Sequence, residues 1–274
     1  MSAGLEPLLA HPAIWRGSTA APAATVSTGF AALDACLPGG GWPRAGLIEI
    51  LYEHTGQGEI SLLLPALAVL LRRPQARWCA WIAPAGLDAP GCKTGAPLEP
   101  YAPALAAAGL NLERVLVVRP DAHGARTPSR TSSSASLWAF GQALRSGACE
   151  AALAWLEPHM LELRRLQVAA ERGRTLGVLF RDASAARYPS AATLRVLLEG
   201  NGGRGMRLTL LKSRGGFRGQ LDLPWSDLLG LAGLDPWLDL RAPPSDPAER
   251  EMERRAIERG QIKPGESGAP AAAS

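Results

Sequence analysis

The stretch ILYEHTGQGEISLLL, Ile50 to Leu64, runs in the order β-strand, glycine turn, apolar helix. A phosphate-binding loop has the same order. There backbone amides wrap the β-phosphate, a lysine meets the β- and γ-oxygens and a hydroxyl holds magnesium, with the spacing Gly-x-x-x-x-Gly-Lys-[Ser/Thr]. In this chain Glu53 stands in the first glycine's place and Gly58 keeps the second. Glu59 replaces the lysine, Ile60 replaces the hydroxyl, and Gly56 lies inside the loop. A carboxylate about 4 Å from a phosphate repels it by several kcal/mol at an intermediate dielectric. The loop therefore reads as a former phosphate cradle kept as a joint between strand and helix, without ATP, GTP or any other cofactor.

Upstream, VSTGFAALDACLPGGGWPRAGLIEI predicts a short helix over FAALDACL with Ser27 or Thr28 receiving its first amide protons. The helix stops at the glycine cluster and the strand LIEIL follows. Downstream, ISLLLPALAVLLRR is apolar nearly all round, as a helix buried against a sheet should be, with Pro65 in its first turns. Strand-length apolar runs then alternate with helical stretches: RWCAWIAP, LEPYAPALAAAGL, RVLVVRP, ASLWAFGQALRSGAC, EAALAWLE, HMLELRRLQVAAERG and TLGVLF. This alternation predicts an α/β fold, a mostly parallel sheet sandwiched by helices. ATLRVLLEG and MRLTLLKSRGG, joined by a glycine-rich turn, predict a C-terminal antiparallel hairpin. DLPWSDLLGLAGLDPWLDL reads as mixed turn and helix.

Three segments result: an N-terminal lead-in at 1–24, one core domain at 25–242 and a polar tail at 243–274. Within the tail DPAEREMERRAIERG favours a helix, with Pro247 near its start, arginines late and Gly260 at its stop; QIKPGESGAPAAAS is expected to be disordered. The length of 274 residues and 47% hydrophobic content support a sizeable core. A net charge of +4 allows an anionic partner without requiring one. Cys36, Cys79, Cys92 and Cys149 form no Cys-x-x-Cys pair and the four histidines are dispersed, so no metal site is expected. No apolar run is long enough to span a bilayer, which predicts a cytoplasmic chain with no membrane partner.

The surroundings of the loop carry a resemblance. VSTGFAALDACLPGGGWPRAGLIEI resembles the segment that leads into the phosphate loop of RecA-family recombinases, and the likeness continues in order for about 200 residues through WCAWIAPAGLDAP, LNLERVLVVRPD, RSGACEAALAW and GRGMRLTLLKSRGGFRG. It implies a RecA-like core whose catalytic positions are lost. Ala85 falls where a carboxylate would activate water, and Trp155 or Leu156 where the Walker B aspartate would stand. Glu157 comes two residues late, and Arg181 and Asp182 fall near the pair that senses the γ-phosphate. Together with Trp15, Arg16 and Gly17, the intact GFAALDACLPGGGWPRAGLIEI resembles the ImuA family and its shorter relative, the division inhibitor SulA. Similarity to ImuA implies a non-enzymatic adaptor of SOS mutagenesis and translesion DNA synthesis. Its implied partners are ImuB and, indirectly, an error-prone DnaE-type polymerase, with nucleoid association in repair complexes. Similarity to SulA implies instead a block on the division GTPase FtsZ, and the wider superfamily leaves a residual ATPase as a third reading.

The same resemblance marks Lys212 and Arg214, which share a strand face by their spacing and match the pair reaching toward a neighbouring protomer's ATP in recombinase filaments. They are the candidate RecA contact. Arg204, Arg207 and Arg218 join them in a local basic concentration suited to weak, non-specific DNA association. Met252, Arg254, Arg255 and Ile257 are the candidate partner-binding face of the tail. His54 beside Glu59 offers no nucleophile at a defined spacing, so no catalytic residue is assigned. Trp78, Trp81, Trp138 and Trp155 lie in or beside apolar runs, which predicts burial rather than base stacking. TPSRTSSSAS, Thr127 to Ser136, reads as a flexible loop.

Overall fold

The computed structural model describes residues 24–83, 100–119, 130–201, 204–213 and 218–230. All fall within the first of two units of the chain, which divide between Asp235 and Pro236. Ala85, Cys92, Arg214, the lead-in and the tail with Met252, Arg254, Arg255 and Ile257 lie outside the described residues.

Six strands run parallel: β3 (Gly46–Tyr52), β4 (Trp78–Ile82), β5 (Val115–Val118), β6 (Cys149–Trp155), β7 (Leu176–Asp182) and β8 (Leu194–Gly200). β9 (Gly205–Ser213) and β10 (Gly219–Pro224) add on antiparallel, giving an eight-stranded sheet in the order β10-β9-β8-β3-β7-β6-β4-β5. The fold is thus α/β with a mostly parallel sheet and an antiparallel edge. That edge exceeds the expected hairpin by one strand. GQLDLP looks like turn sequence, yet it pairs residue by residue with β9, whose free edge supplies the ladder that its own composition does not. β1 (Thr25–Val26) and β2 (Trp42–Pro43) form a separate two-stranded ladder.

Alternation along each strand feeds two cores. Ile48, Ile50 and Tyr52 of β3 pack with Leu153, Trp155, Val178 and Phe180 under α1 (Ala31–Cys36), α2 (Leu64–Arg72) and α3 (Ala102–Ala107). Leu47, Ala152, Ala154 and Leu179 face α4 (Arg130–Arg145) and α5 (Met160–Gly173). α6 (Trp225–Gly230) follows β10 directly.

Three local expectations change. Thr28 does receive the first amide proton of FAALDACL, that of Phe30, but α1 starts only at Ala31 with Phe30 as its N-cap and no side-chain cap. Asp34 reaches back from inside the helix to accept from Thr28 N at 2.8 Å and from the Ser27 hydroxyl, while Thr28 Oγ1 accepts from Phe30 N at 3.1 Å. The serine-rich run is helical from Arg130 onward, not a loop, because Leu137, Phe140 and Leu144 draw the helix onto the sheet and take buried Ser136 with them. Of the four tryptophans read as core, Trp81 and Trp155 are buried. Trp78 is 41% exposed at the open start of β4, and Trp138 is 67% exposed because it lies two residues, about 200° of helix, from inward-facing Phe140.

Two buried carboxylates tie strands together. Glu49 of central β3 has 0% exposure and accepts from Arg181 Nη1 of β7 at 2.9 Å and from Arg195 Nε of β8. Arg195 also donates to Ala185 O at 2.8 Å and Tyr188 O at 3.0 Å, in the turn between β7 and β8. At the other end of the sheet Glu150 of β6 accepts from Arg44, Arg73 and Arg77 at 3.3, 2.6 and 3.3 Å. Burial alone raises the Glu150 carboxyl, but the hydrogen bond and charge of Arg77, with the charge of Arg73, outweigh it and hold the group below the usual carboxylate range.

Replacing Glu49 by Leu leaves the buried guanidinium of Arg195 without its anion and Arg181 with Glu157 alone, so a loss of about 3–5 kcal/mol is expected, read as a fall in the urea midpoint. An unchanged midpoint would show that this carboxylate does not hold the central strands. For Glu150 the folded value lies below the unfolded one, so its stabilisation is complete above about pH 4.3 and is lost as pH falls through the lower folded value. Glu150→Gln is therefore expected to lower stability at neutral pH and to flatten the acid limb of the stability curve. Urea titrations across that window check it, and an acid limb as steep as the wild type's contradicts it.

Candidate functional site: the loop after the central strand

In open α/β sheets the crevice beyond the carboxyl ends of the strands is the usual place for ligands. The loop after β3 lies there. Gly56 and Gly58 hold φ of +88° and +91°, which permits the tight reversal that follows Tyr52. Gly58 is also packed from outside: a Cβ added there would come within 2.6 Å of Met206 Cε on β9 and 3.1 Å of the Trp225 ring on α6.

Glu59 decides the chemistry of the loop. Its side chain is 4% exposed, and its two oxygens accept from Gly56 N at 3.0 and 3.2 Å. A backbone amide of the kind that would meet a phosphate oxygen is thus engaged by the chain's own carboxylate. The same charge acts on Tyr52: burial first, then Glu59, push its phenol well above the ordinary tyrosine value. Glu53 and His54 are exposed, and Ile60 is half-buried against the core under α2.

The helix is displaced as well. Residues 59–63 form turns, bonded Leu62 N to Gly58 O at 3.0 Å and Leu63 N to Ile60 O at 2.8 Å, and α2 starts only at Leu64 with Pro65 in its first turn. The first helical amides, where the positive end of the macrodipole lies, therefore stand about one turn beyond the loop.

Around this end of the sheet several other polar groups are bound to one another, while the buried Thr55 Oγ1 and Gln57 Oε1 of the loop lack a hydrogen-bond partner. Glu157 follows β6 and accepts from Arg181 Nε at 2.9 Å and from Asp182 N at 2.8 Å. Asp182 accepts from Ser184 N at 2.8 Å, and hydrogen bonds from Ser184 hold its carboxyl below the usual range. Trp155, at the carboxyl end of β6, is stacked on Phe180 at 4.6 Å between ring centroids. Among the described residues no group of three or more His, Cys, Asp or Glu could hold a metal ion, and no helix is long and apolar enough to cross a membrane.

The structure does not gather the basic residues named from the sequence. Lys212 of β9 is half-buried and donates to Ser190 O at 2.8 Å, on its own chain. Arg207 meets Asp222 across the β9–β10 ladder at 2.8 and 3.2 Å. Arg204 and Arg218 are exposed but flank opposite ends of the six-residue pairing of β9 with β10, about 20 Å apart along the strands. Sequence reasoning missed Glu49 and Arg195 altogether. A charged residue inside LIEIL and another inside TLRVLL, each bounded by apolar neighbours, were the available signal.

No family model matches the chain. The cell division inhibitor SulA of Edwardsiella piscicida is 32% identical over 138 residues, spanning 50% of this chain and 68% of that protein. The crystal structure of SulA from Pseudomonas aeruginosa is 26% identical, covers 49% of this chain and 97% of that one, and superposes with a TM-score of 0.33. The identity and the coverage of the Edwardsiella protein show that this chain belongs to the SulA family.

Proposed function

We propose that the chain is a non-enzymatic, RecA-like adaptor of SOS-induced translesion synthesis, of the ImuA type, which docks on ImuB and through it reaches an error-prone DnaE-type polymerase. The observation that carries this reading is the Glu59 carboxylate on Gly56 N. An anion already sits where a nucleotide phosphate needs a cation, and by the resemblance to recombinases Trp155 or Leu156 takes the place of a metal-binding acid, which suits the domain to binding and not to phosphoryl transfer. The SulA match leaves half of this chain unmatched, and the resemblance to recombinases extends over about 200 residues, which favours the longer ImuA type.

RecA remains a second proposed partner through Lys212 and Arg214. For Lys212 to reach a neighbouring nucleotide, its ammonium must first leave Ser190 O.

A second reading is favoured by the identity to SulA itself: inhibition of cell division by binding FtsZ. Two measurements separate the readings. Equilibrium dialysis of the purified chain with Mg-ATP is expected to show no uptake at millimolar nucleotide, and tight uptake would overturn the non-enzymatic reading. In pull-downs against ImuB, RecA and FtsZ, retention of ImuB with normal FtsZ assembly is expected. Blocked FtsZ assembly without ImuB retention would replace the adaptor reading with the SulA one.

A further inference from the structure

We propose that the edge of the sheet opposite the Glu59 loop, formed by the N-terminal ends of five adjacent parallel strands, is a binding surface for single-stranded nucleic acid. In sheet order these strands are β5, β4, β6, β7 and β3. Each is preceded by an arginine: Arg114 before Val115, Arg77 before Trp78, Arg145 at the end of α4 ahead of Cys149, Arg174 before Leu176 and Arg44 before Gly46. At the strand spacing of about 4.8 Å the row extends roughly 19 Å, enough for several phosphates of a single strand.

An aromatic platform lies within the row. Trp78 is 41% exposed, and the Arg114 guanidinium stands 5.8 Å over its ring. With the guanidinium over one face of this indole, a base stacks on the guanidinium plane or on the ring's other face, and sequence-tolerant single-strand sites use both kinds of surface. Arg77, next along the row, is a strut: it donates to Gly147 O, Gly173 O and Arg174 O at 3.0, 3.2 and 2.8 Å and pairs with Glu150. Arg44 and Arg73 share the same carboxylate, so three guanidiniums converge on one negative charge. Their side chains remain 36% and 45% exposed, with further N–H groups to offer.

Helix ends account for part of this charge. α2 and α4 finish in arginine and Arg174 caps α5, and cations there complement the macrodipole. That explanation does not extend to an exposed tryptophan at the start of a strand or to Arg114 over its face. The surface is distinct from the β9–β10 arginines, and the inference does not depend on the adaptor reading.

The test uses the full chain and a fluorescein-labelled oligothymidylate of roughly 20 nucleotides. Anisotropy and tryptophan quenching are followed from about 50 to about 200 mM salt. Binding that weakens steeply with salt is expected. Trp78→Ala is expected to weaken it about tenfold, with affinity regained in Trp78→Phe, and Arg145→Glu with Arg114→Glu to abolish it. Arg204→Glu with Arg218→Glu should change it little. Because Arg145 and Trp78 are exposed, their variants are expected to melt cooperatively. Should Trp78→Ala fail to fold, Trp78→Phe and the charge reversals carry the test. Absence of binding at the lower salt overturns the proposal, as does wild-type affinity in the charge-reversal variant. So does equally tight binding of heparin with no tryptophan quenching, which marks a general polyanion patch. The same variants are expected to retain ImuB normally, so loss of ImuB binding and loss of nucleic acid binding are read separately.

Discussion

Glu49, a carboxylate with no exposure to water in the middle of the central strand, is the constraint on which this end of the sheet depends. Desolvating it costs several kcal/mol, and only the guanidiniums of Arg181 and Arg195 offset that cost. Those two arginines belong to the strands on either side of β3, so one charge sets the lateral order β7-β3-β8 as well as the register. Arg181 then reaches Glu157, and Arg195 reaches the carbonyls of Ala185 and Tyr188. The polar groups at the carboxyl ends of the strands are thus largely occupied with one another, which is an organisation for holding shape.

The loop above β3 follows the same logic on a smaller scale. Glycines with positive φ supply a backbone that can wrap an anion, and Glu59 supplies the anion from within the chain. Pro65 moves the start of α2 about one turn beyond the loop, so the helix dipole no longer converges with the glycine turn. Packing of Gly58 against Met206 and Trp225 then couples the loop to the antiparallel edge.

The two ends of the sheet differ in charge chemistry. At the upper end carboxylates and guanidiniums are matched and mostly buried. At the lower end Glu150 faces three arginines, and an exposed indole stands beside a fourth. Unequal pairing leaves positive charge at the surface, where it acts on partners instead of on the fold.

The architecture of the core was legible in the sequence because continuous apolar runs such as CAWIA and LGVLF must be covered on both faces, and apolar helices of matching length lie between them. The negative charge of the loop was legible for a simpler reason: the sign of a charge is written in the residue type, and Glu59 carries it. Only the tertiary structure decided that Glu59 binds Gly56, that Lys212 is held by Ser190, and that Trp78 and Trp138 face outward while Trp81 and Trp155 do not. It also decided that GQLDLP is a strand and that arginines far apart in the chain share one edge. Apolar periodicity is local and survives in one dimension. The pairing of charges and the exposure of a single ring depend on which strands become neighbours, and the sheet order 10-9-8-3-7-6-4-5 is a long-range property that no local pattern contains.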